Sequence, residues 1–226
     1  MTLPGAVYPV NLMLQGRSCL VVGGGTVAAR KVEGLLAGGA DVLVVAPRVD
    51  DEIRGWAQAL PLGRPHRPGR RARVAVEERP YRRGDVDGRW LVISATDSSD
   101  VNAAVYADCE AAGVWVCGAD DPEHCSFTLP SVVRRGTLVL TVSTGGRSPA
   151  VARWLRSRLE DEIGPEYEVL LDLVADHRAA VKAGGRSPAS LDWQKALDSD
   201  MLGLIRTGDL NAARKRLETC LSSSSD

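Results

Sequence analysis

Five short runs of consecutive apolar residues recur in the first half of the chain: Ser18–Val22, Val42–Val45, Val74–Val76, Trp90–Ala95 and Val114–Cys117. Runs of this length without polar alternation predict strands covered on both faces, as in a parallel sheet. Between the first two the period changes. Ala28, Val32, Leu35 and Leu36 fall at i, i+4, i+7 and i+8, so a helix from Thr26 to about Gly38 buries one face, and Gly38-Gly39 reads as its C-cap. Pro47 stops the second strand. A further helix runs to Ala112, with Asp100 as its cap and Val101, Ala104, Val105 and Cys109 inward. This alternation predicts a Rossmann-like α/β fold with a doubly wound parallel sheet, whose ligands sit beyond the carboxyl ends of the strands.

After Pro130 the pattern is different. Thr137–Val142 alternates polar and apolar residues, as in a strand with two unlike faces. The turn Ser143-Thr144-Gly145-Gly146-Arg147 follows, with Ser148 as N-cap and Pro149 at the first helical position of a helix carrying Val151, Trp154, Leu155 and Leu159. Beyond Gly164 the periodicity is helical throughout: Leu170, Leu173, Val174 and Val181, then Trp193, Leu197, Met201, Leu204 and Ile205, then Leu210, Ala213 and Leu217. Trp154 and Trp193 sit at helical spacing with aliphatics and read as core. The expected division is 1–129 for the α/β domain, 130–164 for a short intervening segment and 165–226 for a small helical domain.

Composition narrows the class. Net charge is −1 and charged residues make up 25%, which argues against a general nucleic-acid or membrane binder. Five cysteines at irregular spacing contain no CxxC pair, so a reduced, cytoplasmic protein is expected. The N-terminal residues lack a basic start and a long apolar run and read as neither signal peptide nor membrane span. Arg64, Arg67, Arg70, Arg71 and Arg73 crowd a Pro/Gly-rich stretch around 61–72 that reads as a solvated loop.

The turn after the first strand carries the first chemical signal. Gly23-x-Gly25-x-x-Ala28 fits the dinucleotide fingerprint in the right context, after a strand and opening a helix. Glycines are needed there because a Cβ would block the turn and the approach of a pyrophosphate, which the helix N–H groups then bind. Gly23, Gly24, Gly25, Thr26 and Val27 are therefore cofactor candidates, with NAD as the cofactor. The acidic residue that often closes the second strand is absent. Ala46-Pro47-Arg48 stands there instead, so the ribose is held otherwise, and Arg48 keeps a 2′-phosphate open.

Three blocks extend the signal: GGGTVAARKVEGLLAGGADVLVVAP, ISATDSSDVNAAV, and CGADDPEHCSFTLPSVVRRGTLVLTVSTGGRSPAVARWLRSRLE. Together they resemble the precorrin-2 dehydrogenase module of siroheme synthase, from about Tyr8 to Glu160. That family oxidises precorrin-2 to sirohydrochlorin with NAD, some members also insert ferrous iron, and its members are homodimers. The resemblance implies that Gly23, Gly25, Thr26 and Val27 contact the cofactor phosphates, that Pro47 and Arg48 lie by the adenosine ribose, and that Thr96 and Asp97 lie under the nicotinamide half. It matches the family's functional aspartate to Asp120, where an Asn-Val-Val-Asp run is common and this chain has Cys117-Gly118-Ala119-Asp120. The fused methyltransferase of the family has no place in 226 residues, so precorrin-2 is expected from another protein.

The residues allow this chemistry. A carboxylate at Asp120 can act as base or stabilise positive charge as hydride leaves, although Asp-Asp-Pro is also good turn chemistry, with Asp121 as the turn residue. The macrocycle bears eight carboxylates, for which Arg134, Arg135, Arg147 and Arg153 are candidates. Ser143, Thr144, Gly145 and Gly146 form either a second anion cradle or an ordinary capped helix start. His124 with Cys117 and Cys125 fits no standard zinc spacing, so no metal site is assigned; a place for His124 beside the macrocycle stays open. His177 lies on an apolar stripe and reads as packed. Three readings compete: precorrin-2 dehydrogenase, sirohydrochlorin ferrochelatase alone or in addition, and a non-catalytic NAD- or tetrapyrrole-binding relative.

Overall fold

The computed structural model describes residues 7–59, 73–119 and 121–222; the arginine-rich 61–72 stretch and Asp120 lie outside the described residues. The chain divides into two compact units, Met1–Leu129 with Gly145–Arg147, and Pro130–Thr144 with Ser148–Asp226.

The first unit is built on β1 (Ser18–Val22), α1 (Thr26–Ala37), β2 (Asp41–Ala46), α2 (Asp51–Ala59), β3 (Arg73–Glu78), β4 (Leu91–Ser94), α3 (Ser99–Ala112), β5 (Trp115–Gly118) and β6 (Asp121–Cys125). They form one sheet in the order β3-β2-β1-β4-β5-β6. β1 pairs in parallel with both β2 and β4, so the strand order reverses there, which is where such sheets bind ligands. The apolar runs are continuous because successive side chains serve opposite cores. Cys19 and Val21 of β1 join Val42, Val44, Leu91 and Ile93 beneath α1 and α2. Leu20 and Val22 join Leu43, Val45, Val92 and Val116 against Val105 and Cys109 of α3. Each such aliphatic taken from water contributes roughly 1.5–3 kcal/mol.

Several expectations are corrected. The sheet is not wholly parallel: β6 runs antiparallel to β5, with a register shift between Cys117 and Gly118. Asp121, expected as a turn residue, opens that strand. α2 had no forecast, although Ile53 is buried, Trp56 and Ala57 pack against the same core, and Asp50 Oδ1 accepts from Glu52 N–H at its start. Ser98 rather than Asp100 caps α3, accepting from Val101 N–H. Ala104 is exposed while Asn102 is buried. Arg73 leaves the arginine cluster to begin β3, where its guanidinium forms a nearly buried ion pair with Asp41 of β2.

The second unit opens with the hairpin β7 (Ser131–Arg135) and β8 (Leu138–Val142), turned at Gly136 with φ 56°. Helices α4 (Pro149–Glu162), α5 (Glu166–Ala183), α6 (Trp193–Leu197), α7 (Met201–Arg206) and α8 (Leu210–Ser222) follow. Ser148 caps α4 and Pro149 starts it, as the sequence indicates. Arg135, a candidate for substrate carboxylates, instead donates to the carbonyls of Ile163 and Glu160 at the end of α4. Met201, Ile205, Ala213 and Leu217 build the helical core with Leu173. The stretch expected as one helix around Trp193–Ile205 is two, parted at Asp198-Ser199-Asp200, and Leu197 is exposed. His177 packs edge-on against Trp193, whose Nε1–H donates to the Pro188 carbonyl. Trp154 is not core: it is 56% exposed, beside exposed Val151 and Leu155, with the Arg158 guanidinium 5.1 Å from the centre of its ring. No described helix is long and apolar enough to cross a membrane.

Candidate functional site

The carboxyl ends of β1, β2 and β4 open into a cleft of about 950 Å³. Three turns build it. Gly23–Val27 follow β1, Pro47–Asp50 follow β2 and Ala95–Ser98 follow β4, with Pro80, Tyr81, Val101 and Ala119 completing the wall. All nine cofactor candidates, Gly23, Gly24, Gly25, Thr26, Val27, Pro47, Arg48, Thr96 and Asp97, line this one space.

The glycine turn is held from behind and open in front. Gly23 has φ 123°, and a Cβ there would collide with the Ala95 carbonyl. A Cβ on Gly24 would strike the Arg48 carbonyl, and Asp50 N–H donates to the Gly24 carbonyl at 2.7 Å. A Cβ on Gly25 meets nothing within 4 Å. Gly25 is the N-cap of α1, no side chain caps that helix, and its first turn carries no acidic residue. Unclaimed N–H groups at a positive helix end, reached over a residue without a side chain, suit a pyrophosphate. The residues present therefore fit a dinucleotide.

The β4 side of the cleft is fixed by a residue that the sequence reading missed. Asn102 on α3 accepts from Ser94 Oγ at 2.5 Å and Thr96 Oγ1 at 2.8 Å, and its Nδ2 donates to the Thr96 carbonyl at 3.1 Å. Thr96-Asp97 is thereby pinned to the helix. The available signal was a polar residue breaking an apolar face between Val101 and Val105. Tyr81 donates to Asp108 at 2.7 Å, and burial with that neighbour pushes its phenol up. The loop carrying Tyr81 is clamped by Arg79, whose two terminal nitrogens meet both oxygens of Asp85 at 2.8 and 2.7 Å.

Other candidates lie elsewhere. His124 is not in the cleft wall; its Nδ1 is 2.6 Å from Asp121 Oδ2 and its ring meets Tyr106 edge-on. Asp120, outside the described residues, stands in sequence between the cleft-lining Ala119 and the first residue of β6. Ser143–Arg147 form the turn before α4. Gly145 and Gly146 have φ 59° and 73°, and Thr144 Oγ1 receives Ser148 N–H at 3.2 Å, so the turn closes on itself. Arg147 is exposed. Among the described residues no group of three or more His, Cys, Asp or Glu could hold a metal ion.

Known proteins resemble the chain in sequence and in fold. Residues 10–131 match the family described as "Putative NAD(P)-binding". The chain belongs to this NAD(P)-binding family. It is 39% identical to a siroheme synthase of Thioalkalivibrio sulfidiphilus over 97% of this chain and 43% of that protein. Against a siroheme synthase of Nitrosococcus oceani it is 39% identical over 77% of this chain and 35% of that protein. The chain thus spans less than half the length of these curated relatives. Among solved structures it resembles SirC, a precorrin-2 dehydrogenase, with a TM-score of 0.70 and 25% identity, over 94% of this chain and 100% of that one. The likeness to precorrin-2 dehydrogenases drawn from the three sequence blocks is supported at the level of both sequence and fold.

Proposed function

We propose that the chain catalyses NAD-dependent dehydrogenation of precorrin-2 to sirohydrochlorin, in siroheme or cobalamin biosynthesis. The observation that carries the reading is the cleft at the β1/β4 switch point, closed behind Gly23 and Gly24 and open over Gly25, in a chain that follows a precorrin-2 dehydrogenase over its full length. NAD supplies the hydride acceptor. The α1 N-terminus holds the phosphates, Pro47 and Arg48 border the adenosine ribose, and Thr96-Asp97, stiffened by Asn102, support the nicotinamide half. Asp120 receives a proton or faces the positive charge that builds on the pyrrole system as hydride leaves. The Ser143–Arg147 turn and His124 are assigned to the substrate's carboxylates, and no metal is assigned to the protein. The functional division follows 1–129, 130–164 and 165–226.

Two copies form the enzyme on this reading, since Val151, Trp154 and Leu155 leave an apolar face of α4 uncovered. None of the five cysteines is in a disulfide, which supports a reducing, cytoplasmic setting. Ferrous iron enters as a second substrate if the protein is also a chelatase, a reaction that consumes no NAD.

The test is an anaerobic assay with fresh precorrin-2 and NAD, following NADH absorbance and the sirohydrochlorin spectrum together. Both signals rise with the native protein, and Asp120→Ala slows them at least 100-fold while NAD affinity stays within threefold. NAD binding without sirohydrochlorin would move the function to chelation or to another substrate.

A further inference from the structure

Cys117 and Cys125 lie opposite one another on the antiparallel pair β5–β6. Directly opposed residues in such a pair have Cα atoms roughly 4.5–5.5 Å apart, inside the range a disulfide spans. Their sulfurs are 3.8 Å apart. The two differ in access: Cys117 is 6% exposed, whereas Cys125 is half-buried. That is the arrangement of an attacking thiol within reach of solvent and a resolving thiol behind it.

We propose that Cys117 and Cys125 are a reversible dithiol switch, oxidised to a disulfide by peroxides, that acts on the dinucleotide cleft through the β5–β6 hairpin. The Cys125 sulfur attacks one oxygen of the peroxide; an S–O bond forms, the O–O bond breaks and water leaves. The Cys117 sulfur then attacks the resulting sulfenic acid; the S–S bond forms and a second water leaves. Two thiols are oxidised and one hydrogen peroxide is reduced to two waters. A thiol reductant reverses the step by exchange.

The surroundings of the thiols favour this pair over Cys19 and Cys109. The Cys117 thiol lowers the Cys125 thiol from its ordinary value against the opposing effect of burial, which favours attack by its sulfur. Burial pushes Cys19 and Cys109 up to about 12, which leaves them inert.

Closing the bond draws the sulfurs from 3.8 Å to about 2.0 Å. It also takes the Cys125 S–H from the Gly118 and Asp121 carbonyls, which it meets at 3.5 and 3.1 Å. The register already shifts between Cys117 and Gly118, and a Cβ on Gly118 would stand 3.1 Å from the Asp121 carbonyl oxygen. The next residue, Ala119, is tied to the Ser94 carbonyl at 2.7 Å and forms part of the cleft wall. The loss of those bonds and the pull on β5 therefore reach the cleft wall at Ala119. Its consequence for turnover rests on the dehydrogenase reading; its consequence for NAD does not.

The test treats the reduced full chain with hydrogen peroxide, alkylates it, maps the cysteines by mass spectrometry and titrates NAD against tryptophan fluorescence. The thiol count should fall from five to three, with one Cys117–Cys125 peptide bridge within a chain. NAD affinity should weaken at least fivefold and return with dithiothreitol. Cys125→Ser should bind NAD as the native chain does and ignore peroxide; being half-buried, it is the variant that keeps the fold where Cys117→Ser does not. Persistence of all five thiols, a bridge between chains or other cysteines, or a bridge without effect on NAD would each overturn the proposal. Failure of the precorrin-2 assay with reduced protein would strike the dehydrogenase reading and leave the switch to be judged by NAD titration.

Discussion

Gly25→Asp should separate folding from cofactor binding, because the structure gives the two effects opposite signs. Gly25 caps α1 without any side-chain hydrogen bond, and a Cβ there enters open space. An aspartate can accept from the N–H groups of the first helical turn and place its charge against the positive end of the helix. Better capping contributes a few tenths of a kcal/mol over glycine and the dipole about 0.3–1 kcal/mol, so the cofactor-free protein should gain roughly 0.5–1 kcal/mol. The same carboxylate occupies the place of the pyrophosphate and takes its donors. Hydrogen bonds to a charged group are worth about 1.5–3 kcal/mol each, so the loss of two weakens NAD by at least ~3 kcal/mol, more than 100-fold. The neighbouring Gly23→Ala behaves differently. With φ 123° and the Ala95 carbonyl behind it, it should lose about 2 kcal/mol of stability along with NAD.

Urea unfolding without cofactor gives one axis and isothermal NAD titration the other. If Gly25→Asp bound NAD within threefold of the native protein, the α1 N-terminus would not be the phosphate site. If it unfolded at clearly lower urea, the open front of the turn would not be free space.

Three further outcomes are expected. Asn102→Ala leaves Ser94 Oγ and the Thr96 carbonyl without their partner in a buried setting and should cost about 2–4 kcal/mol by urea unfolding while raising the KM for NAD; an unchanged KM would remove Thr96-Asp97 from the cofactor site. The Arg79 guanidinium holds the Asp85 carboxyl below the usual carboxylate range, so its stabilisation is complete above about pH 4, the unfolded-chain value, and is lost as pH falls below that toward the lower folded one. Asp85→Asn should cost roughly 1 kcal/mol at pH 7 and flatten the decline of the unfolding midpoint below pH 4, and an equally steep decline would refute it. Trp154→Glu should weaken self-association at least 100-fold in sedimentation, with the far-ultraviolet circular dichroism unchanged; a native chain that sediments as a monomer would remove the basis for the dimer.

How much the sequence discloses follows from how local each cause is. β1, α1 and the glycine turn are legible because their causes are nearest-neighbour ones: an apolar run, a 3.6-residue period, and backbone angles that only glycine adopts freely. The roles within the three glycines are not legible, since they depend on Ala95 and Arg48, distant in sequence and adjacent only after the sheet assembles. Asn102 fails for the same reason. A single asparagine on a helix gives no local sign of the Ser94 and Thr96 hydroxyls that it satisfies. β6 is obscured by its composition, because Asp-Pro-Glu-His-Cys has turn chemistry and becomes a strand only through the free edge of β5. Trp154 errs in the opposite direction. Its helical spacing marks an apolar face of α4, but spacing cannot say whether that face is covered within the chain. The resemblance reaches Asp120 by motif alone, while the cleft wall reaches Ala119, one residue short of it, by geometry. The motif and the cleft wall thus meet at neighbouring positions in the sequence, and Cys117 lies two residues before Ala119.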